Sequence, residues 1–163
     1  MYIDFLFDVF KEFYSNDSII YKSEEYSYKY LIENIKKHQF LIDSHQIKQG
    51  TVVALEGDFS PNSIALFLAL IEKACIIVPL TEMSKKNENR LFKIAQVEFI
   101  FRIDEKDVIT SKSVSKKLNN DYYKVIRKRK HPGLVLFTSG TSGEPKAAVH
   151  DFLALLEKFK TRR

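Results

Sequence analysis

Apolar positions recur along this chain with two different periods, and the points where the period changes mark its elements. From Tyr2 to Tyr14, the residues Tyr2, Phe5, Leu6, Val9, Phe10 and Phe13 recur at helical spacing, opposite Asp4, Asp8, Lys11 and Glu12. This predicts an amphipathic helix. Its polar face is not lysine-rich, so the apolar face is expected to dock on the protein's own core rather than on a membrane. Asn16-Asp17-Ser18 predicts a turn and Ile19-Ile20-Tyr21 a short strand, after which Ser23-Glu24-Glu25 turns the chain back through Tyr26. Ser27 is placed to cap a helix carrying Leu31, Ile35, His38 and Ile42 on one face, and Gln49-Gly50 ends that unit.

A regular alternation follows. Thr51 to Leu55 is an apolar, β-branched run that predicts a strand, and Ser60-Pro61 supplies a cap and a first-position proline for a helix over 62–73. Cys75 to Val78 predicts a second strand, Asn87 to Gln96 a helix and Glu98 to Phe101 a third strand. Strands alternating with helices through short connections predict a mostly parallel sheet with right-handed crossovers. The strands are continuously apolar rather than alternating, as expected where helices cover both faces. The fold class is therefore α/β. The segment 103–118 is polar, with a short strand at Val108-Ile109-Thr110, and Tyr122 to Ile126 predicts another strand. No linker or repeat divides the chain, so residues 1–163 are read as one unit.

Composition narrows the class without changing it. With 163 residues and 45% hydrophobic content, the chain can bury a sizeable core. The formal net charge is +5, but 21 acidic residues are interleaved with 26 basic ones. The one dense basic run, Arg127-Lys128-Arg129-Lys130, lacks the clustering and aromatic interleaving of a nucleic-acid surface, and its plainer reading is a solvated strand end or loop. No nucleic-acid partner is expected. The single cysteine, Cys75, lies in an apolar run and excludes an internal disulfide, which suits a reducing cytoplasm. The amino terminus lacks the basic start of a signal peptide, and the longest uncharged apolar stretch, Ile64 to Ile71, is far shorter than the ~20 residues a bilayer requires. A soluble, cytoplasmic protein without a membrane span is expected. The histidines His38, His45, His131 and His150 are too scattered for a metal site.

Chemistry concentrates in one stretch. Leu134 to Phe137 predicts a buried strand that runs directly into Thr138-Ser139-Gly140-Thr141-Ser142-Gly143-Glu144-Pro145-Lys146, followed by a strand-like Ala147-Ala148-Val149-His150. Gly140 and Gly143 permit positive φ and leave no side chain between backbone and ligand. Successive amides in such a turn can form an anion nest. Thr138, Ser139, Thr141 and Ser142 add hydroxyls, and Lys146 adds a mobile point charge suited to phosphate. The spelling is not the P-loop of common NTPases, because Glu144-Pro145 separates glycine from lysine and no helix starts at once.

Phe137 to Lys146 resembles the signature of the adenylate-forming superfamily, which includes acyl- and aryl-CoA synthetases, nonribosomal peptide synthetase adenylation domains and firefly-type luciferases. Ile47 to Leu55, Ser60-Pro61-Asn62 and Ala74 to Leu80 resemble further family segments in the same order, with departures at Thr51, Ala74-Cys75 and Ala147. The resemblance implies part of the large amino-terminal domain of such an enzyme. It further implies activation of a carboxylic acid with Mg-ATP as an acyl-adenylate, then transfer to CoA or another thiol. ATP and Mg2+ are the implied cofactors. Thr138, Ser139, Gly140, Thr141, Ser142, Gly143 and Lys146 are the residues implied to hold the β- and γ-phosphates. Because the family's adenine, ribose, metal and acyl motifs cannot be placed before Arg163, the chain is expected to be an amino-terminal portion, inactive alone. Two other readings remain. One is a stand-alone interaction module or pseudoenzyme, dimerising through a helix face near Leu153, Leu156 and Phe159. The other is nucleic-acid binding through Arg127 to Lys130.

Overall fold

The computed structural model describes residues 1–114, 120–139 and 144–160. Helix α1 (Asp4–Glu12) leads into a hairpin of β1 (Asp17–Tyr21) and β2 (Glu24–Ser27), then helix α2 (Tyr28–Ser44). The next elements are β3 (Val52–Glu56), α3 (Pro61–Glu72), β4 (Ile76–Leu80), a 3-10 segment (Glu82–Asn87), α4 (Glu88–Ala95) and β5 (Phe99–Ile103). The chain closes with β6 (Ile109–Ser113), α5 (Asp121–Arg129), β7 (Gly133–Ser139), β8 (Pro145–Asp151), α6 (Phe152–Leu156) and a 3-10 turn (Glu157–Phe159). Six strands form one sheet in the order β6-β5-β3-β4-β7-β8. The inner four are parallel, and β6 and β8 run antiparallel along the two edges. The expected α/β class with a mostly parallel sheet is what forms.

The period of two along each strand sends alternate residues to opposite faces, and both faces are covered. Val53, Leu55, Ile77, Phe99 and Phe101 pack with α1, α2 and α3. Val52, Ala54, Ile76, Val78, Ile100 and Val135 pack with α4 and α5. That is why these strands read as unbroken apolar runs. Cys75 is fully buried, and burial pushes its thiol up to about 12, so it is a core residue rather than a nucleophile.

Several local readings hold at the level of caps. The Ser27 side chain accepts from the Tyr30 amide and Ser60 from that of Ser63, with Pro61 in the first turn of α3. Two readings are corrected. The stretch Tyr122 to Ile126 is not a strand but the body of α5. Asn120 caps that helix by accepting from the Tyr122 amide at 3.0 Å, Asp121 sits in its first turn and Arg127 to Arg129 in its last, where the helix dipole favours cations. Tyr123 and Ile126 are buried three residues apart, so the helical spacing outweighs the aromatic and β-branched content. The early turn is Lys22-Ser23, both at positive φ, and Glu24 already belongs to β2. The basic run accordingly ends a helix. Arg127 Nε donates to the Gly50 carbonyl at 2.8 Å and its Nη2 to Glu98 at 2.8 Å, while Arg129 pairs with Asp151 at 3.1 Å. Gly50 has φ +75, and a Cβ there would meet Arg127 Cγ at 2.7 Å, so this corner requires glycine.

One buried polar chain organises the start of α3. Asp107 accepts from the Ser60 hydroxyl and, at 3.1 Å, from the Asn62 amide, and Asn62 Oδ1 lies 3.0 Å from His38 Nε2. His38 is buried with Nδ1 unpartnered, and burial holds its pKa below the usual histidine value against the Asn62 contact. The unfolded chain therefore binds a proton at His38 more readily than the native one. Stability from this site is complete above the unfolded value of 6.5 and is lost as pH falls below it. Urea unfolding should show a larger loss between about pH 7.5 and about pH 5.5 for the wild type than for His38→Gln; equal slopes would mean that His38 does not contribute. In the core, Leu70→Ala should cost about 2–5 kcal/mol in the same assay. Leu136→Ala, at a side chain 41% exposed, should cost less than about 1 kcal/mol.

Candidate functional site

The inner strands β3, β4, β5 and β7 end together along one edge of the sheet, at Glu56, Leu80, Ile103 and Ser139. In open parallel sheets, ligands bind beyond the carboxyl ends of the strands. The β7–β8 hairpin projects there. Its register runs from Gly133 opposite Asp151 to Ser139 opposite Pro145, so residues 140–144 make the connection. Thr138 pairs with Lys146 in this ladder, and Thr138 Oγ1 makes a long contact of 3.5 Å to the Lys146 carbonyl. Phe137 and Ala147 pack toward α4, so alternation turns Thr138 and Lys146 to the opposite face, where both are exposed. The structure thus brings a hydroxyl and an ammonium together at the hairpin's mouth. Ser139 contributes its backbone to the ladder, while Gly140, Thr141, Ser142 and Gly143 lie outside the described residues. His150 pairs with Leu134, four positions down the strand from the Lys146 pair and about 13 Å away along it.

A second polar group at the same edge escaped the sequence reading. Glu56 is 3% exposed, and its Oε2 accepts from Arg102 Nε at 2.9 Å while Oε1 has no partner. Arg102 Nη2 reaches Glu88 at the start of α4, and these carboxylates, Glu56 foremost, raise the arginine pKa further. Glu56, Arg102, Thr81, Asp58, Tyr21 and Lys22 line an open cavity of about 870 Å³. The available signal was an acid ending an otherwise wholly buried strand, and an arginine within Phe99-Ile100-Phe101-Arg102-Ile103.

Other candidates resolve into structure. Arg127 and Arg129 are engaged with Glu98 and Asp151, so two of the four basic side chains of the run are paired within the fold. Asp151 stands at the N-cap position of α6, and its carboxylate pairs with Arg129 and His131; its burial opposes ionisation, yet the His131 and Arg129 contacts hold its pKa below the usual carboxylate value. On the last helix Leu156 is buried in the core while Phe159 is exposed, so the Leu153, Leu156 and Phe159 face is split between core and solvent. Among the described residues, no group of three or more His, Cys, Asp or Glu side chains is placed to hold a metal ion. No helix among them is long and apolar enough to cross a membrane.

Known folds agree with this arrangement. The amino-terminal subdomain of NpsA from Klebsiella oxytoca superposes with a TM-score of 0.69 at 17% identity, over 90% of this chain and 40% of that one. An artificially fused adenylation–PCP di-domain, NpsA-ThdA from the same organism, matches with a TM-score of 0.69 at 17% identity, over 91% of this chain and 32% of that one. VinN, in complex with 3-methylaspartate, matches with a TM-score of 0.69 at 15% identity, over 98% of this chain and 50% of that one. The chain therefore spans about two fifths of the NpsA subdomain it matches. No curated protein sequence matches it. The family model described as AMP-binding enzyme matches residues 9–162, nearly the whole chain, and with the parallel sheet and its projecting β7–β8 hairpin this places the chain in the AMP-binding enzyme family.

Proposed function

We propose that this chain contributes the phosphate-holding loop of an enzyme that activates a carboxylic acid with Mg-ATP. One observation carries the reading: at the carboxyl edge of the sheet, Thr138 and Lys146 are paired across the mouth of a hairpin whose connection is Gly140-Thr141-Ser142-Gly143-Glu144. In the reaction, a carboxylate oxygen of the acid attacks the α-phosphorus. The bond from that phosphorus to the bridging oxygen breaks, giving an acyl-adenylate and pyrophosphate. Negative charge grows on the departing pyrophosphate. Thr138, Ser139, Gly140, Thr141, Ser142, Gly143 and Lys146 would meet it with hydroxyls, amides and an ammonium. Lys146 serves as a charge partner for phosphate, with no proton transfer assigned to it.

Support for acid activation comes from the family and from the neighbours. NpsA is described with 3-hydroxyanthranilyl-AMSN, and VinN with 3-methylaspartate, which is itself a carboxylic acid. The acyl group would then pass to a thiol, of CoA or of a carrier protein; the adenylation–PCP fusion is the observation that favours a carrier. Magnesium would enter with ATP. This chain alone would bind nucleotide without turning over.

Calorimetric titration of the 163-residue chain tests the reading. Pyrophosphate and Mg-ATP should bind saturably, and Lys146→Ala should weaken both about tenfold, the scale of one charge-assisted hydrogen bond. No acid-dependent pyrophosphate release should follow. Absence of binding by the folded chain, or binding indifferent to Lys146→Ala, would overturn the assignment.

A further inference from the structure

We propose that His38, Asn62 and Asp107 form an acid-sensitive latch, which clips the β5–β6 turn to the start of α3 and so fixes one wall of the cavity at the carboxyl edge. The outer member sits in the turn. The Asp107 amide donates to the Asp104 carbonyl at 2.9 Å, and the Asp104 amide to the Val108 carbonyl at 3.1 Å, between the paired residues Ile103 and Ile109. Asp107 has φ 61, a left-handed conformation that glycine adopts at least cost. What aspartate adds there is a side chain that reaches α3. Its Oδ2 accepts from the Asn62 amide at 3.1 Å. Amides in the first turn of a helix have no partner within it, and Asp107 supplies one from outside. Asp104, Glu105 and Lys106, directly before it, line the cavity together with Gly57 and Asp58 from the segment that leads into α3.

Asn62 passes the contact inward. Its Nδ2 donates to the Asp107 carbonyl at 2.9 Å, which leaves Oδ1 facing His38 Nε2 at 3.0 Å. An amide oxygen can only accept, so Nε2 carries the proton of the neutral ring and Nδ1 is a bare acceptor. Nδ1 is buried and has no partner. A second proton would create a buried charge and an N–H with nothing to receive it.

The surroundings weigh against that proton. Burial is the chief resistance; the Asn62 contact from α3 opposes it, Lys37 on the same helix adds to it, and Asp107 from the turn again opposes it. Acid strong enough to charge the ring is relieved by moving the ring toward water. Asn62 then loses the contact that orients its side chain, and the Asp107 carbonyl loses its donor. A left-handed non-glycine residue persists while its surroundings over-determine it, so the turn loosens when this restraint goes. The latch does not depend on the phosphate reading of the β7–β8 connection.

The test follows the 163-residue chain by NMR at about pH 7.5 and about pH 5.5, either side of the ordinary histidine value. Long-range proton–nitrogen spectra should place the His38 proton on Nε2 at the upper pH. Amide exchange is then compared with the intrinsic rate at each pH. Protection of the Asn62 amide should fall about fivefold on acidification, the scale of one net hydrogen bond. Asp107 and Val108 should fall with it while the β4 amides stay protected. His38→Gln keeps an N–H donor for Asn62 without titrating, and should abolish the pH response. Asp107→Gly suits the turn backbone but removes the carboxylate, and should leave the Asn62 amide unprotected at both pH values. A proton on Nδ1 at the upper pH, a pH response that survives His38→Gln, or an Asn62 amide still protected in Asp107→Gly would each overturn the latch. Turn amides that hold while Asn62 opens would overturn it too. So would β4 amides that open in step with Asn62, because the acid response would then be global unfolding.

Discussion

The constraint on which everything else depends is that four parallel strands must be covered on both faces. Val52 to Glu56 and Ile76 to Val78 are buried at every position, so neither face of β3 or β4 can meet water. The chain satisfies this with α1, α2 and α3 on one face and α4 and α5 on the other. Parallel strands all enter from one side and end at the other, so the cover also aligns their carboxyl ends along a single edge. The β7–β8 hairpin, the Glu56–Arg102–Glu88 group and the first turn of α4 meet there as a result of sheet topology.

Two arginines hold the opposite ends of this sheet. Arg127 lies at the amino-terminal side, donating to the Gly50 carbonyl and to Glu98, whose carboxylate also accepts the Val52 amide at 2.9 Å. Arg102 lies at the carboxyl side and spans Glu56 and Glu88. Each arginine offers several donors in a fixed planar fork, which suits joining one strand end to another element. The cost at the carboxyl end is visible in Glu56, which is almost wholly buried and satisfied at only one oxygen. An unpaired buried oxygen is tolerated where the packing around it is stiff, and here it sits at the end of a strand paired on both sides.

Much of this was legible in order along the chain. The strand–helix–strand succession from Thr51 to Phe101, the Ser27 and Ser60 caps, and burial of Cys75 all follow from local spacing and residue chemistry. The hydroxyl- and glycine-rich stretch 138–146 also stands out locally, because four hydroxyls, two glycines and a lysine in nine residues need no partner elsewhere to be noticed. Tyr122 to Ile126 misled because its side-chain types favour a strand; Asn120 and the basic last turn decided for a helix. Asp151 stands at the N-cap of α6, and what the local pattern did not show is that its carboxylate also meets His131 and Arg129, twenty and twenty-two positions earlier.

By itself the sequence determined most of the element types and the parallel α/β class, because each rests on periodicity or on neighbours within about ten residues. Only tertiary structure decided which strands are neighbours, that β6 and β8 turn back as antiparallel edges, and that Glu56 and Arg102 meet across 46 positions. Those pairings depend on how crossovers return each strand to the sheet, and no local pattern of side chains records that return.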